Sequence, residues 1–520
     1  MKPQQTSNNR KKTIFIFFVM VVLQLLLLIY LMNNKLTLFC DEIYSYSLSN
    51  SPFGILFETE DKSSIQWNSK WIDSQVLKDY VGVSRDNSFN YKNVYYNQTL
   101  DCHPPLFYYA IHTICSFFPA SFSKWYGFSL NIIIFILVQV LLFILSKKIF
   151  DSDKNALLTC FIYGFSSCSI DCFIFIRMYS LLTLLYLLYL YLNVSYLEKN
   201  NFYCLLSISL VALLGALTQY HFYIYAFSII STMVLINKTN KIFGIILANL
   251  LGFTLANLYF PYFFQHLFNN SNGVAALDIS ERISPCILAV SYLFQEFLGV
   301  NRTISVVMAI FLIIILCIFV IIYFIKHYFD KNSTSLLMVY ISSFIYMIIV
   351  FFTVNYKYFG IILTGRYFFP ICPMIIIAVM AILYKQKKKY LTVLLTILIL
   401  ASNLQMLDFY YPYSKKNTDI LQLENIIKNN NLILCCNATG IIHSLCIQLM
   451  KTNKIFVNFY FSPKYFDFNK ITFSDNKSTY LLIYPSDSLR NIPFPKIMEG
   501  NIEFWPNQFG LYEINNIKKR

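Results

Sequence analysis

The chain is divided by a succession of apolar stretches, each about 20 residues long and nearly free of charge, which leaves most of its charge to the segments between them. Each such stretch can cross the ~30 Å hydrocarbon core of a bilayer as a helix, because a helix closes its own backbone hydrogen bonds. The first covers residues 13–32, directly behind Arg10-Lys11-Lys12. A signal peptide also begins with basic residues, but its apolar core is only ~7–15 residues. This one is longer, and Asn33-Asn34-Lys35 offers no small-residue cleavage site, so it reads as an uncleaved anchor. Further spans are expected at 125–146, 155–173, 179–197, 203–219, 221–236, 242–262, 303–325, 335–353, 367–384 and 390–407, eleven in all.

Composition agrees. Of 520 residues, 57% are hydrophobic and 13% charged, against ~45–50% and ~25% in soluble domains. A soluble globular enzyme, a disordered chain and a fibrous repeat are excluded. The formal charge of 41 − 26 = +15 would suit nucleic acid, but its placement argues otherwise. Sixteen Lys and Arg fall in the short loops of one side, among them Arg10, Lys11, Lys12, Lys147 and Lys148; the short loops of the other side carry only Arg177, Lys357 and Arg366. That asymmetry is the positive-inside signature. It places the N-terminus in the cytoplasm and, with an odd number of spans, residues 408–520 outside.

The outer face then holds nearly all the mass beyond the membrane: residues 33–124, 263–302 and 408–520. In the last of these, helical patterns at 418–430 and 440–451 alternate with short β runs at 432–436, 455–460, 480–484, 502–505 and 510–514. This predicts a small α/β domain without a glycine fingerprint for nucleotides. The thirteen Cys show no zinc-ligand spacing. Cys160, Cys204 and Cys317 lie within spans and suit packing, whereas Cys40 and Cys102 in the first outer loop are a candidate disulfide pair.

Four motifs carry chemistry-bearing residues. Asp41-Glu42 follows the first span. Adjacent residues on a helix diverge by ~100°, so the pair cannot flank one bond as hydrolase carboxylates do. One can act as a base while the other tunes it, holds a neighbouring cation or binds a divalent metal. Asp101-Cys102-His103-Pro104-Pro105-Leu106 closes the first loop, its prolines suited to opening an interfacial helix over 106–118. Arg177-Met178-Tyr179-Ser180-Leu181-Leu182 enters the fourth span, and Gly365-Arg366-Tyr367-Phe368-Phe369-Pro370 opens the tenth. Arginine at a helix boundary either snorkels to headgroups or pairs with phosphate through its planar fork. Lys357, in the loop before Arg366, is a weaker phosphate candidate. His221, at the turn before the sixth span, reads equally as a polar turn residue and a substrate contact.

Taken in order, these motifs resemble the dolichyl-phosphate-mannose protein mannosyltransferase superfamily, including bacterial enzymes similar to the lipid A aminoarabinose transferase, all of GT-C fold. The resemblance covers most of residues 13–410. It implies a polytopic α-helical membrane protein with a GT-C-like domain over 1–407 and an extracytoplasmic α/β domain over 408–520. It also implies inverting transfer of one sugar from a polyprenyl-phosphate donor to an acceptor hydroxyl on the extracytoplasmic face. By the same resemblance Asp41 would be the base and Glu42 its partner. Asp101, His103, Tyr179 and His221 would line the substrate pocket, and Arg177 and Arg366, with Lys357, would hold the donor phosphate. The sequence departs from related bacterial members at Phe175, where they often carry an acid two residues before the first arginine; here the nearest acid is Asp171.

A polyprenyl phosphate leaves as a stable anion, so the chemistry needs one base and fixed cations but no general acid. The acceptor would be a glycolipid, a glycan or a protein, and a divalent cation at Asp41-Glu42 is the cofactor that the sequence leaves open. A transporter or lipid flippase is the competing function, and would call for ionisable residues buried mid-span or broken helices in paired halves. A non-catalytic scaffold displaying the outer domain is the third. The Asn, Lys, Ile, Tyr and Phe bias fits an AT-rich genome and hence a plasma (inner) membrane.

Overall fold

The computed structural model describes residues 3–52, 70–236, 239–268, 334–353, 365–385, 418–437, 439–459, 477–485, 494–502 and 507–514, with a few isolated positions besides. It separates into two units. One comprises Met1–Tyr30, Asp101–Phe107 and Phe128–Tyr410; the other comprises Leu31–Leu100, Tyr108–Gly127 and Tyr411–Arg520.

The first unit is helical. Among the described residues, five helices are long and apolar enough to span a membrane: Asn9–Asn34, Lys124–Phe150, Tyr179–Lys199, Lys241–Tyr259 and Arg366–Tyr384. They lie within α1 (Pro3–Asn34), α6 (Lys124–Phe150), α9 (Tyr179–Lys199), α12 (Thr239–Tyr259) and the turn and helix at 365–385. The span expected at 155–173 is a bent pair, α7 (Asp153–Gly164) and α8 (Ser167–Ile174), angled by 58°. Ser166 makes the break: its hydroxyl caps α8 by accepting from the Ser169 N–H. Gly164 sits against the Gln24 and Gln139 amides, where a Cβ would come within 2.3–2.4 Å of them. Three apolar helices fall where spans are expected but are shorter: α10 (Phe202–Thr218), α11 (His221–Leu235) and Thr334–Val350. The expected spans at 303–325 and, for most of its length, 390–407 lie outside the described residues. Large apolar side chains such as Phe15, Phe18 and Leu26 stay exposed on α1, as a lipid-facing surface requires.

A stack of buried tyrosines fills the helical interior. Tyr186 lies flat on Tyr225 at 4.1 Å, and Tyr346 meets it edge-on at 5.5 Å. Their hydroxyls are spent on backbone: Tyr186 donates to the His221 carbonyl at 2.9 Å and Tyr346 to the Tyr367 carbonyl at 3.0 Å. The disulfide expectation for Cys40 and Cys102 is corrected: the two are not bonded to each other, and Cys168 of α8 is bonded to Cys372 instead. Proximity in sequence to motifs carried no information about pairing across 204 residues.

The second unit joins the first loop to the C-terminal segment. Its helices α2 (Cys40–Asn50), α3 (Gln75–Val81), α4 (Tyr91–Leu100) and most of α5 (Leu106–Ser116) accompany a six-stranded sheet ordered β1-β3-β2-β4-β6-β5. The strands are β1 (Lys70–Asp73), β2 (Asn431–Cys436), β3 (Lys454–Phe459), β4 (Thr479–Tyr484), β5 (Lys496–Asn501) and β6 (Gln508–Glu513). β2 pairs in parallel with β3 and β4 and is buried along its whole length, which explains its unbroken apolar run. β1 pairs antiparallel with β3, Trp71 opposite Phe456. The sheet is therefore wider than 408–520 alone: the first loop supplies the strand that covers the open edge of β3. The expected run at 502–505 is displaced. The strand is 496–501, Ile502 follows it, and 503–506 lie outside the described residues.

Candidate active site

The two adjacent acids of the first motif have different fates. α1 ends at Asn34 and α2 begins at Cys40, so one short turn carries the chain between them. Two lysines fix that turn. Lys124 donates to the carbonyls of Met32, Asn33 and Lys35 at 2.9, 3.0 and 2.6 Å, which satisfies acceptors that a helix C-terminus leaves open. The Lys35 ammonium lies 2.7 Å from both oxygens of Glu42, with both side chains buried. Glu42 also accepts from the Phe39 N–H at 2.8 Å, tying the first turn of α2 to its entrance.

Glu42 therefore holds a neighbouring cation and positions the turn. Among the described residues, Asp41 and Glu42 are not part of a group of side chains close enough to share a metal. Asp41 is only half-buried, in the first turn of α2, where the helix dipole favours a carboxylate. The hydroxyl of Ser45 donates back to its carbonyl at 3.2 Å. Below α2, Tyr44 stacks on His443 of the C-terminal segment at 4.2 Å, and His443 Nε2 shares a hydrogen bond with the Tyr80 hydroxyl at 3.1 Å.

In the helical unit, two distant motifs meet. Arg177 sits in the break between α8 and α9, its N–H donating to the Phe175 carbonyl at 2.9 Å in a three-residue turn. Asn131 of α6 braces the break. Its amide donates to the carbonyls of Phe173 and Phe175 at 2.9 and 3.1 Å and accepts from the Ser180 hydroxyl at 2.7 Å. Arg177 is thereby held buried, with Nη2 donating to His103 Nε2 at 3.4 Å. A guanidinium only donates, so Nε2 accepts and the hydrogen on Nδ1 is directed to Asp101 Oδ2, 2.8 Å away. Burial alone would raise the Asp101 carboxyl. The His103 ring, the hydrogen bond between them and the Arg177 charge override this and hold it at about 2. Asp101 thus stays an anion and keeps the imidazole oriented toward Arg177.

His221 lies within electrostatic reach of His103 and stacks on Tyr367 at 5.0 Å. The Arg366 guanidinium, also buried, stands 5.5 Å from the same Tyr367 ring. Tyr179 is packed edge-on against Tyr367 and Phe369, so it supports the turn that carries Arg366. The Cys168–Cys372 disulfide ties the segments bearing the two arginines: Arg177 follows Cys168 by nine residues and Arg366 precedes Cys372 by six. Asp171 is fully buried in α8, its carbonyl accepting from the Phe175 N–H at 3.2 Å. Lys357 lies outside the described residues.

The helical unit thus gathers Asp101, His103, Arg177 and His221, with Arg366 joined through Tyr367; Asp41 and Glu42 belong to the other unit. Lys35, Asn131 and Tyr367 escaped the sequence reading as site residues. Only Asn131 carried a signal, as one of two amides, with Gln139, in an apolar span. Among the described residues, the one group of side chains close enough to share a metal is Asp101, Cys102 and His103. Its thiol and imidazole would suit zinc rather than magnesium or calcium.

No curated protein matches the chain. Residues 102–263, which begin inside the His103 motif and carry Arg177 and His221, match the family model described as dolichyl-phosphate-mannose-protein mannosyltransferase; over that stretch, and in its apolar helices, the chain is similar to membrane glycosyltransferases.

Proposed function

We propose that the protein transfers one sugar from a polyprenyl-phosphate donor to an acceptor hydroxyl at the extracytoplasmic face of the plasma membrane, with inversion at the anomeric carbon. Asp41 takes the acceptor proton. The acceptor oxygen forms its bond to C1 as the bond from C1 to the phosphate oxygen breaks. The electron pair leaves with the polyprenyl phosphate, steadied by Arg177 and Arg366. His103, oriented by Asp101, and His221 line the pocket, and Lys357 adds a further cation for the donor phosphate. Glu42 acts through the turn it holds.

The observation that carries this reading is the alignment of Asp101, His103 and Arg177. It holds a buried guanidinium in place, and Arg366, in the same unit, is a second buried arginine. Guanidinium pairs are suited to a phosphate that gains charge as it leaves. A disulfide among the arginine-bearing segments also fits an extracytoplasmic site, since such bonds form in oxidising compartments. The acceptor is a glycolipid, a glycan or a protein.

The test uses purified protein in detergent with radiolabelled polyprenyl-phosphate mannose, followed by a series of other polyprenyl-phosphate sugars. Arg177→Lys and Arg366→Lys should each raise KM for the donor and lower kcat, because an ammonium cannot make the forked contact. Wild-type kinetics in both variants would remove the arginines from the donor site.

A further inference from the structure

The second unit contains a cavity of about 550 Å³ that the transferase reading does not use. None of Asp41, Asp101, His103, Arg177, His221 or Arg366 lines it. Its walls come from α3, the 120–124 segment and the helices at Thr418–Ile427 and Cys446–Leu449.

Its charge is unbalanced. Lys78, Arg85, Lys124 and Lys451 face Asp79 and Glu424, a formal 4 − 2 = +2. Lys451 is neutralised by its ion pair with Glu424. Asp79 accepts from the Gln75 amide at 2.9 Å. Lys124 has committed its three donors to three carbonyls, so it contributes charge but no further hydrogen bond. Lys78 and Arg85 remain as exposed cations on a fixed backbone. The Gly82 N–H bonds to the Lys78 carbonyl at 2.8 Å, and a Cβ at Gly82 would come within 2.9 Å of that carbonyl and 3.1 Å of the Ser121 carbonyl. Gly82 so permits a close approach of the end of α3 to the backbone at Ser121, and Lys78 and Arg85, on either side of it in sequence, both line the cavity.

The rest of the lining is apolar, with Leu36, Phe122, Ile447 and Met450 among it. Leu36 lies two residues beyond the end of α1, and Lys124 opens α6; both helices have the length and hydropathy to span a bilayer. Leu36 and Lys124 thus sit at the chain positions where two candidate spans end, and the end of a span is at the level of the lipid headgroups. A cationic rim over an apolar wall at that level fits an amphiphile whose head is an anion.

We propose that this cavity is a binding site for the phosphate-bearing headgroup of an anionic membrane lipid. Lys78 and Arg85 hold the phosphate, and the glycerol and upper acyl carbons lie against Leu36, Phe122, Ile447 and Met450. The proposal does not depend on the transferase reading.

The test is native mass spectrometry of the full chain in detergent, titrated with phosphatidylglycerol, phosphatidylcholine or inorganic phosphate. The comparison protein is the double variant Lys78→Ala, Arg85→Ala, with Lys11→Ala, Lys12→Ala as a charge-matched control far along the sequence. The wild type and the control should retain one phosphatidylglycerol in preference to phosphatidylcholine, and the Lys78/Arg85 variant should need about tenfold more lipid to do so. Equal retention by the variant, or no preference for the anionic headgroup, would overturn the site. Displacement of the lipid by inorganic phosphate alone, at equal concentration, would overturn the lipid as its occupant.

Discussion

Two acidic motifs, one in each unit, use the same residue type in opposite ways. In Asp41-Glu42, the buried acid is saturated: Glu42 is bonded to Lys35 through both oxygens and to the Phe39 N–H. Its half-buried neighbour Asp41 begins the helix beside it. In Asp101-Cys102-His103, the acid is partly exposed and directs a histidine to a buried arginine. The difference teaches that a carboxylate in a membrane enzyme is not functional by virtue of its charge. Glu42 stabilises a turn, whereas Asp101 sets the orientation of a neighbour.

That contrast can be broken experimentally, starting with the largest effect. Glu42→Gln should leave Lys35 buried without its partner and cost about 3–5 kcal/mol of stability, measured by the denaturation midpoint. Lys35→Met with Glu42→Leu should recover most of that loss, since an apolar pair replaces a buried ion pair without stranding a charge. If the double variant is as unstable as the single one, Glu42 does more than hold Lys35.

A smaller effect is expected at His103. His103→Ala removes a charged hydrogen bond to Arg177, worth about 1.5–3 kcal/mol, and should lower kcat/KM for the donor by about 10- to 100-fold. The folding midpoint should move less than for Glu42→Gln. Smaller again, Asn131→Ala should cost about 1–3 kcal/mol in stability by removing the amide's hydrogen bonds to the Phe173 and Phe175 carbonyls and to the Ser180 hydroxyl. It should also raise donor KM, because the Arg177 turn loses its brace. A change in stability with unaltered KM would make Asn131 a packing residue only.

The pH dependence sharpens the comparison at its quiet end. Asp101 is held at about 2, below the ~3.9 of an unfolded aspartate. Its contribution to stability is fully present above about pH 4 and is lost as pH falls through 2. The acid limb of the rate profile between about pH 4 and 8 should therefore stay in place in Asp101→Asn, even as the rate falls. A limb that moves with this substitution would assign Asp101 a titrating role.

Much of this architecture was legible because it follows from local patterns. Apolar runs show where helices form, and β2 through β4 and β6 announce themselves as short apolar or alternating segments. The chemistry-bearing residues were legible as types in motifs. Partnerships across long separations were not. Lys35 looks like any basic residue at the end of a span until Glu42 is seen to cover it. Cys168 and Cys372 look like packing residues because nothing within a helix records a partner 204 residues away. β1 was invisible for a related reason: four residues, Lys70–Asp73, carry too little alternation to signal a strand, and it exists because β3 offers an edge.

The account's central claim is that Asp41 is the proton acceptor and Glu42 its support. The most direct measurement is single-turnover sugar transfer from labelled polyprenyl phosphate by Asp41→Asn, normalised to folded protein. The account predicts a loss of about 10²- to 10⁴-fold with donor binding and the denaturation midpoint preserved; transfer at the wild-type rate would contradict it.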